Sequence, residues 1–551
     1  MVSRTLLLIE KLSEKQILWI LVAMTFGLRL YSVVMAGGIS YDGAGYGFVA
    51  RDFLRHDFAK GLSSALHPFY PFLIFLFSPN TSCVEITGRF VSLFFGTFAV
   101  IPLFYLVKKA VGQREALFSA LFYTFHSYLV AYSGMLLTEA TYWGWLILSA
   151  YFFWTGLKNE KLWSIVLSGF FLGLAYLTRP EGIGYVFVYG IWMIADGGLK
   201  KNWLKRSIHF GGLTVMLFLF VIPYVIYIHQ ETGQWLITKK GALFQSALLN
   251  GAEGNSNPPT EKVLEEPKSV TERRDNPPTE EVFEEPKSVK EVGDNRPMET
   301  VLEDPKSVVK RSYLPMVAKN IVQFLPSTTY HYLRAYHFAL WLFLFLGLIR
   351  ARQNGIKGEL FLASFVLFHL FSLSTFTGST IRFSVPLIPI SLFWAGAGVL
   401  EIRKHLKWLN LSHPEKWVPF FIILALLVQL PQSIRPEGTH RADQKRVGLW
   451  LKENTPKDAV IMGSSPIETF YGEREFVLLP AGVYLPGTPA KSYKEIIRYA
   501  KAKRVGYILV NKEISRSNPD FTESIQSTDL KEFYRYTEKE RAKIIVYEVI
   551  Y

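Results

Sequence analysis

Long apolar runs, separated by short polar segments, dominate the chain up to about residue 435. Each run holds about 18 to 24 residues, enough for a helix rising about 1.5 Å per residue to cross a hydrocarbon core about 30 Å thick. The pattern therefore predicts a mainly α-helical, polytopic membrane protein. We expect about eleven transmembrane helices, at 17–37, 87–107, 115–133, 137–157, 162–178, 182–197, 208–229, 333–350, 359–376, 381–401 and 416–434.

Basic residues are distributed unevenly between the short loops on the two sides of this predicted bundle. The loops of one side each carry two to four Lys or Arg residues, whereas the opposite loops, near 134–138, 179–181 and 377–382, hold only Arg179 and Arg382. Because cytoplasmic loops are enriched in Lys and Arg, we expect a cytoplasmic N-terminus and an extracytoplasmic C-terminus. The segments predicted to lie on the outer face are then the loop 39–86, the long loop 230–332 and the tail from 435.

The long outer loop contains a 19-residue repeat, with copies at 257–270, 276–289 and 295–308. Each copy is rich in Pro, Glu, Lys and Ser and has too few apolar residues to offset the entropy of ordering the chain. We therefore predict a disordered insertion over 250–310. A binding tether or surface spacer is the alternative interpretation.

The tail changes pattern and alternates amphipathic helices with short apolar strands, as in "SYKEIIRYAKAKRVGYILVNKE". Residues 435–551 are therefore predicted to form a small extracytoplasmic α/β domain that follows a transmembrane domain over 1–434. The tail contains neither a Gly-rich phosphate loop nor a G-x-S-x-G turn, so we expect no independent enzyme there.

Composition narrows the class of protein further. Half of the residues are apolar, only 19% are charged and the mean hydropathy is +0.19. The formal net charge of +14 is explained by basic cytoplasmic loops and requires no nucleic-acid partner. Cys83 is the only cysteine, which excludes an intrachain disulfide and a thiolate metal cluster.

Candidate chemistry lies at the predicted outer ends of the spans, where ionisable residues near hydrocarbon are costly and indicate function. The first loop supplies Asp42 and His67 together with the aromatic residues Tyr41, Tyr46, Phe69 and Tyr70. Later span ends supply Arg89, Glu139, Arg179 and Glu181, Trp235 with Lys239 and Lys240, and Arg382.

Each of these residues also fits an ordinary structural role. Asp42 could cap or solvate a helix end, and Glu139 could form a capping pair with Thr138. Arg179 and Glu181 could form a local ion pair, and His67 could be a packing residue. Two acids and two arginines nevertheless recur on the same predicted face, which indicates a shared site.

Six segments, in this order, resemble a known family: "SYDGAGYGFVARDFL", "HPFYPFLIFLF", "GRFVSLFFGTFAVIPLFYLVKKAVG", "LLTEATYWGWL", "YLTRPEG" and "IRFSVPLIPI". The chain resembles the GT-C membrane glycosyltransferases, and more narrowly the branch of dolichyl-phosphate-mannose-protein mannosyltransferases and lipid A aminoarabinose transferases. The resemblance covers most of residues 15–435. Many members carry a second acid directly after the first-loop Asp, whereas this chain has Gly43.

The resemblance implies an inverting enzyme in the cytoplasmic (inner) membrane. It would transfer a sugar from a polyprenyl-phosphate-linked donor to a lipid, glycan or protein acceptor on the outer face. Asp42 would be the catalytic base. Glu139 would orient its surroundings, bind the acceptor or help to hold a divalent metal ion, an ion that the sequence does not demand.

The leaving phosphate stays anionic, so it needs cations rather than a proton donor. Arg382 and Arg179, supported by Lys239 or Lys240, suit that task. The residues expected to line the substrate are Tyr41, Tyr46, His67, Tyr70, Arg89, Glu181 and Trp235. Two other classes stay open, a transporter or flippase of lipid-linked saccharides and a polymerase or ligase that uses them.

Overall fold

A computed structural model describes residues 13–196, 203–240, 313–350, 356–376, 380–408, 414–480, 492–538 and 541–551. The 19-residue repeats lie outside these residues, so the disordered insertion over 250–310 stays a prediction.

Helices form most of the described chain up to Ser433. The first half contains α1 Glu14–Met35, α2 Tyr41–Leu54, α3 Phe58–Ser63, α4 Phe69–Phe77, α5 Val84–Phe98, α6 Val100–Ala110, α7 Gln113–Phe125, α8 Ser127–Ser133, α9 Glu139–Asn159, α10 Leu162–Thr178, α11 Tyr185–Ala195 and α12 Trp203–Thr232. A 3₁₀ turn, Pro180–Gly184, joins α10 to α11. The second half contains α13 Tyr313–Tyr336, α14 Trp341–Ile349, α15 Ile356–Phe376, α16 Ile381–Ser384, α17 Ile388–Trp408 and α18 Pro414–Ser433.

A helix lies at each of the eleven predicted positions, but not every one is a single span. Among the described residues, five helical stretches are long and apolar enough to cross a membrane, or six if a pair bent by 81° at residue 337 is one span. The chain is thus a multi-pass membrane protein. The count of eleven spans and the orientation stay predictions.

The predicted span 115–133 is broken into α7 and α8 at His126. Arg29 of α1, fully buried, donates to the carbonyl oxygens of Tyr123 and Thr124 at 3.3 and 3.4 Å. The Ser433 hydroxyl of α18 donates to the carbonyl of Phe125 at 2.9 Å. Backbone groups freed inside a membrane bundle need such partners, so these side chains stabilise a break that the sequence pattern did not predict.

Glycines bring α14 and α17 into backbone contact. A Cβ on Gly347 would lie 1.9 Å from the carbonyl oxygen of Trp394, and one on Gly398 would lie 1.8 Å from that of Phe343. Small residues allow this close approach between apolar helices, whose association cannot rely on the hydrophobic effect within lipid.

The tail forms helices and a five-stranded mixed sheet. Its elements are α19 Ala442–Asn454, β1 Val460–Gly463, α20 Ile467–Gly472, β2 Glu475–Leu478, α21 Tyr493–Ala502, β3 Tyr507–Asn511, α22 Lys512–Ser517, α23 Pro519–Glu523, β4 Leu530–Glu538 and β5 Arg541–Val549. The strand order is β2-β1-β3-β5-β4, with β1 parallel to β2 and β3, and β5 antiparallel to β3 and β4. The pattern predicted the three central strands but not the edge strands β2 and β4, most of whose residues are at least partly exposed.

The tail packs directly on the first loop. The amides of Gly37 and Gly38 donate to the carbonyls of Glu437 and Gly438 at 2.7 and 3.1 Å. The Ile39 amide donates to the Tyr471 hydroxyl at 3.0 Å. A shared apolar cluster joins the two segments, formed by residues that include Ile39, Ala44, Tyr46, Ile467, Phe470 and Tyr471. The C-terminal segment therefore buttresses the start of α2.

Candidate active site

Asp42 lies in the first turn of α2, where an acid is favoured by the helix dipole. Ser40 is the N-cap of this helix, because its hydroxyl accepts from the Gly43 amide at 3.0 Å. The Asp42 carboxylate, with 43% of its side chain exposed, pairs with the guanidinium of Arg382. The cap is thus supplied by Ser40, and the Asp42 side chain faces the other ionisable residues.

Gly43 lies where related sequences carry a second acid. A Cβ at this position would lie 2.9 Å from the carbonyl oxygen of Leu136 and 3.0 Å from the Ser40 hydroxyl. The packing of α2 therefore leaves no room for an acidic side chain at residue 43. A second carboxylate at this site has to come from elsewhere in the chain.

Glu139 supplies it from the first turn of α9. Its side chain is fully buried, and one oxygen, Oε1, accepts both from Nε of Arg382 and from Nη1 of Arg179, the latter at 3.2 Å. Thr138, at the N-cap position, makes no side-chain capping bond. Glu139 thus joins two arginines from distant segments of the chain.

Arg179 extends the network to Glu181 in the 3₁₀ turn after α10, with Nη2 to Oε1 at 3.0 Å. Burial would raise the pKa of Glu181, but the charge and hydrogen bonds of Arg179 outweigh it and lower that pKa to about 2. The resulting chain of ion pairs, which we call the charge cluster, runs Asp42–Arg382–Glu139–Arg179–Glu181. Buried charges of opposite sign compensate one another here.

The two adjacent lysines take different positions. Lys239 is buried, pairs with Glu231 and donates to the carbonyl of Leu62 at 2.7 Å, so it ties the end of α12 to the first loop. Lys240 is exposed to solvent, although protein atoms around its ammonium group still desolvate it in part. This desolvation lowers its pKa, the charge of Arg179 lowers the pKa further, and Asp42 acts in the opposite direction. The charges of the cluster therefore act on Lys240, whereas Lys239 is engaged by Glu231 and Leu62.

Two residues expected to line the substrate, Tyr70 and Arg89, bond to neighbouring parts of the protein. Tyr70 is fully buried and its hydroxyl bonds to the Gly88 carbonyl and the Ser92 hydroxyl, both at 2.9 Å. Arg89 pairs with Glu85 at 2.7 Å and donates to the carbonyl of Gly37 at 2.7 Å.

The remaining aromatic residues of the first loop differ in exposure. His67 is buried, with its ring 5.5 Å from that of Tyr176, and burial is the main cause that lowers its pKa to about 3. Tyr46 is buried edge-on against Tyr70, with ring centroids 5.5 Å apart. Tyr41, beside Asp42, stays 38% exposed.

An apolar groove adjoins the charge cluster. It has a volume of about 380 Å³ and is lined by Ile183, Phe218, Val221, Ile222, Val225, Ile226, Trp235 and Ile237. Trp235 is largely exposed and stacks on His229 at 3.9 Å. Ile183 follows Glu181 by two residues, so one end of the groove lies close to the ion pairs. An amphiphile with an apolar chain and an anionic head fits this combination.

Among the described residues, no three His, Cys, Asp or Glu side chains are grouped closely enough to hold a divalent metal ion. The two carboxylates Asp42 and Glu139 both pair with Arg382. A divalent metal ion at the site stays a prediction.

Sequence reasoning missed Arg441, which follows the last predicted span. Its Cβ lies against Gly38, where an added Cβ would be only 2.8 Å away. Its pKa is lowered mainly by desolvation, and the charges of Glu437, Arg382 and Asp42 also act on it. No signal in the sequence singles it out, because the tail from 435 carries many other basic residues.

In its helical bundle and charge cluster, the chain is similar to the GT-C membrane glycosyltransferases. The family model for dolichyl-phosphate-mannose-protein mannosyltransferases matches residues 65–227, which include Glu139, Arg179 and Glu181. Comparison with curated proteins gives no match.

Solved structures share the fold across almost the whole chain. ArnT from Cupriavidus metallidurans bound to undecaprenyl phosphate gives a TM-score of 0.56 at 10% identity, over 97% of this chain and 98% of that one. The Archaeoglobus fulgidus oligosaccharyltransferase in the apo form gives 0.52 at 11% identity, over 96% of this chain and 74% of that one. The archaeal oligosaccharyltransferase AglB from the same organism, in complex with an inhibitory peptide and a dolichol-phosphate, gives 0.52 at 10% identity, over 95% and 74%. These matches confirm the resemblance to GT-C membrane glycosyltransferases.

Proposed function

We propose that the protein is an inverting glycosyltransferase that moves a sugar from a polyprenyl-phosphate-linked donor to a lipid, glycan or protein acceptor on the outer face of the membrane. The observation that carries the proposal is the charge cluster, in which Asp42 and Glu139 share Arg382 beside an apolar groove. Structures with the same fold bind undecaprenyl phosphate and dolichol-phosphate, which supports a donor of this chemistry.

The donor lies with its isoprenoid chain in the apolar groove and its phosphate toward Arg179 and Lys240. A phosphodiester leaving group stays anionic, and guanidinium groups bind phosphate through charge-assisted bonds. Arg382 engages the two carboxylates through Nε and Nη1, and its Nη2 makes no hydrogen bond to any described residue. That nitrogen is available for a phosphate oxygen.

Asp42 accepts the proton of the acceptor hydroxyl. The acceptor oxygen then forms a bond to C1 of the sugar as the bond from C1 to the phosphate oxygen breaks, and polyprenyl phosphate leaves. The carboxylate also stabilises the positive charge that develops at C1. One displacement with one base inverts the anomeric centre.

The ion pair between Asp42 and Arg382 couples binding of the donor phosphate to the state of the catalytic base. A phosphate that binds Nη2 of Arg382 shares the guanidinium with Asp42 and so weakens the attraction of Arg382 for the carboxylate. Glu139, fully buried and bonded to both arginines, positions them rather than taking the proton.

The test uses the purified protein in nanodiscs with labelled undecaprenyl-phosphate sugar and a cell-envelope extract as acceptor. We expect the wild type to release undecaprenyl phosphate and label the extract. Asp42→Asn should abolish transfer while retaining affinity for undecaprenyl phosphate. The matched control is Asp52→Asn, on the same helix but outside the charge cluster, which should retain transfer. Normal turnover in Asp42→Asn would exclude Asp42 as the base, and translocation of the labelled lipid without transfer would favour a flippase.

A further inference from the structure

Two cations near the charge cluster make no ion pair with any described carboxylate. They are Lys240, which follows α12, and Arg441, in the short 3₁₀ turn Thr439–Arg441 before α19. The other cations are matched, since Arg179 and Arg382 pair within the cluster and Lys239 pairs with Glu231. An unmatched, half-buried guanidinium beside a catalytic carboxylate suits an anionic group of a substrate.

The backbone fixes the position of Arg441. The Gly438 carbonyl accepts both from the Gly38 amide at 3.1 Å and from the Arg441 amide at 3.0 Å. Gly438 has a φ of +74°, and a Cβ there would lie 2.1 Å from the Gly38 carbonyl oxygen. This contact therefore requires glycine at residue 438. It places Arg441 beside the segment that immediately precedes Asp42.

Lys240 and Arg441 come from different parts of the chain, and the charges of Asp42 and Arg382 act on both residues. Arg179 and Glu181 also act on Lys240, whereas Arg441 packs on Gly38 and belongs to the C-terminal segment. Arg179 and Lys240 are assigned to the donor phosphate, which leaves Arg441 for the second substrate.

We propose that Arg441 binds an anionic group, phosphate or carboxylate, of the acceptor, so that the C-terminal segment forms part of the acceptor site. The proposal rests on the proposed glycosyl transfer. An acceptor held by Arg441 has its nearby hydroxyl directed toward Asp42, which lies four residues beyond Gly38 in the chain.

The experiment divides a cell-envelope lipid extract on an anion exchanger into neutral and anionic fractions. Each fraction is offered to the full-length protein in nanodiscs with labelled undecaprenyl-phosphate sugar. The variants are Arg441→Gln, Arg441→Lys, and the matched control Arg435→Gln, which removes an exposed arginine from the same segment. Binding of undecaprenyl phosphate and thermal unfolding are measured for each variant.

We expect the wild type to label the anionic fraction. In Arg441→Gln the acceptor concentration for half-maximal transfer should rise by roughly tenfold or more, the loss of one charge-assisted contact. Undecaprenyl phosphate affinity should be unchanged, Arg441→Lys should lose less because it keeps the charge, and Arg435→Gln should behave as the wild type.

Equal labelling of the neutral fraction, or an unchanged acceptor dependence in Arg441→Gln, would overturn the acceptor assignment. Weaker binding of undecaprenyl phosphate in that variant would overturn it too, because Arg441 would then belong to the donor site. An inactive wild type would instead refute glycosyl transfer itself, and with it the acceptor assignment.

Discussion

Glu139→Gln tests whether a single buried carboxylate holds both arginines of the site. The amide keeps the shape of the side chain and an oxygen that can accept from Arg382 and Arg179, but it removes the charge. Glu139 Oε2 makes no hydrogen bond to any described residue. The amide nitrogen of the glutamine can therefore occupy the position of Oε2 without facing another hydrogen-bond donor. The substitution therefore isolates the effect of charge.

The magnitude follows from the number of bonds affected. Replacing the ionised acceptor of such a hydrogen bond by a neutral amide oxygen costs about 1 kcal/mol, and Oε1 accepts from two guanidinium groups. A total of about 2 kcal/mol corresponds to roughly a 30-fold lower kcat/KM, if both arginines act in the transition state. Truncation in Glu139→Ala leaves buried charge uncompensated and should cost about 3–5 kcal/mol of stability.

Glu181→Gln is the matched control. Among the described residues, Glu181 pairs only with Arg179 and keeps 22% of its side chain exposed, whereas Glu139 is fully buried and pairs with two arginines. Water can compensate for part of its loss, so we expect at most about a fivefold decrease. The assays are steady-state transfer in nanodiscs and thermal unfolding of the same preparations. Wild-type kcat/KM in Glu139→Gln, or a larger loss in Glu181→Gln, would refute the assigned role of Glu139.

Two further predictions concern Lys240 and Phe470. Desolvation lowers the pKa of Lys240, so donor affinity should fall as pH rises through that lowered pKa, whereas Lys240→Arg should retain affinity to higher pH. Fold stability should change in the opposite direction, because a lysine with a lowered folded-state pKa costs less stability as pH rises. Measuring the affinity for undecaprenyl phosphate as a function of pH checks the first effect. Loss of affinity over the same alkaline range in the wild type and in Lys240→Arg would contradict it. Phe470→Ala should lower kcat without weakening donor binding. The Phe470 ring lies 3.9 Å from the Arg51 guanidinium and packs against α2, the helix that carries Asp42. The control Phe521→Ala, at a residue buried elsewhere in the tail, should destabilise the tail but leave kcat unchanged.

The site residues that the sequence identified share one property, which is a position beside the end of an apolar run. Asp42, Glu139, Arg179 and Arg382 all meet this criterion, and the structure brings them into one network. Local pattern was sufficient because the ends of neighbouring spans meet at the same face of a bundle. The catalytic and binding roles assigned to these residues stay predictions.

What the sequence did not reveal depends on contacts between distant segments. Lys239 and Lys240 are neighbours in the chain. Only the positions of Glu231 and Leu62 determine that Lys239 is the one held by an ion pair and a hydrogen bond. No proline marks the break at His126 in the sequence, and the break is stabilised by Arg29. Apolar periodicity describes which faces of a helix are buried, but it contains no information on such partners.

The contact between the first loop and the tail has a consequence for biosynthesis. Ile39 and the Tyr471 hydroxyl that accepts from its amide are 432 residues apart. At a synthesis rate of about 5–20 residues per second, the ribosome needs on the order of 20–90 s to make the second after the first. The helix that carries Asp42 is thus synthesised long before its packing partner, so a nascent chain lacks a complete site until the tail has been synthesised and has packed on the first loop.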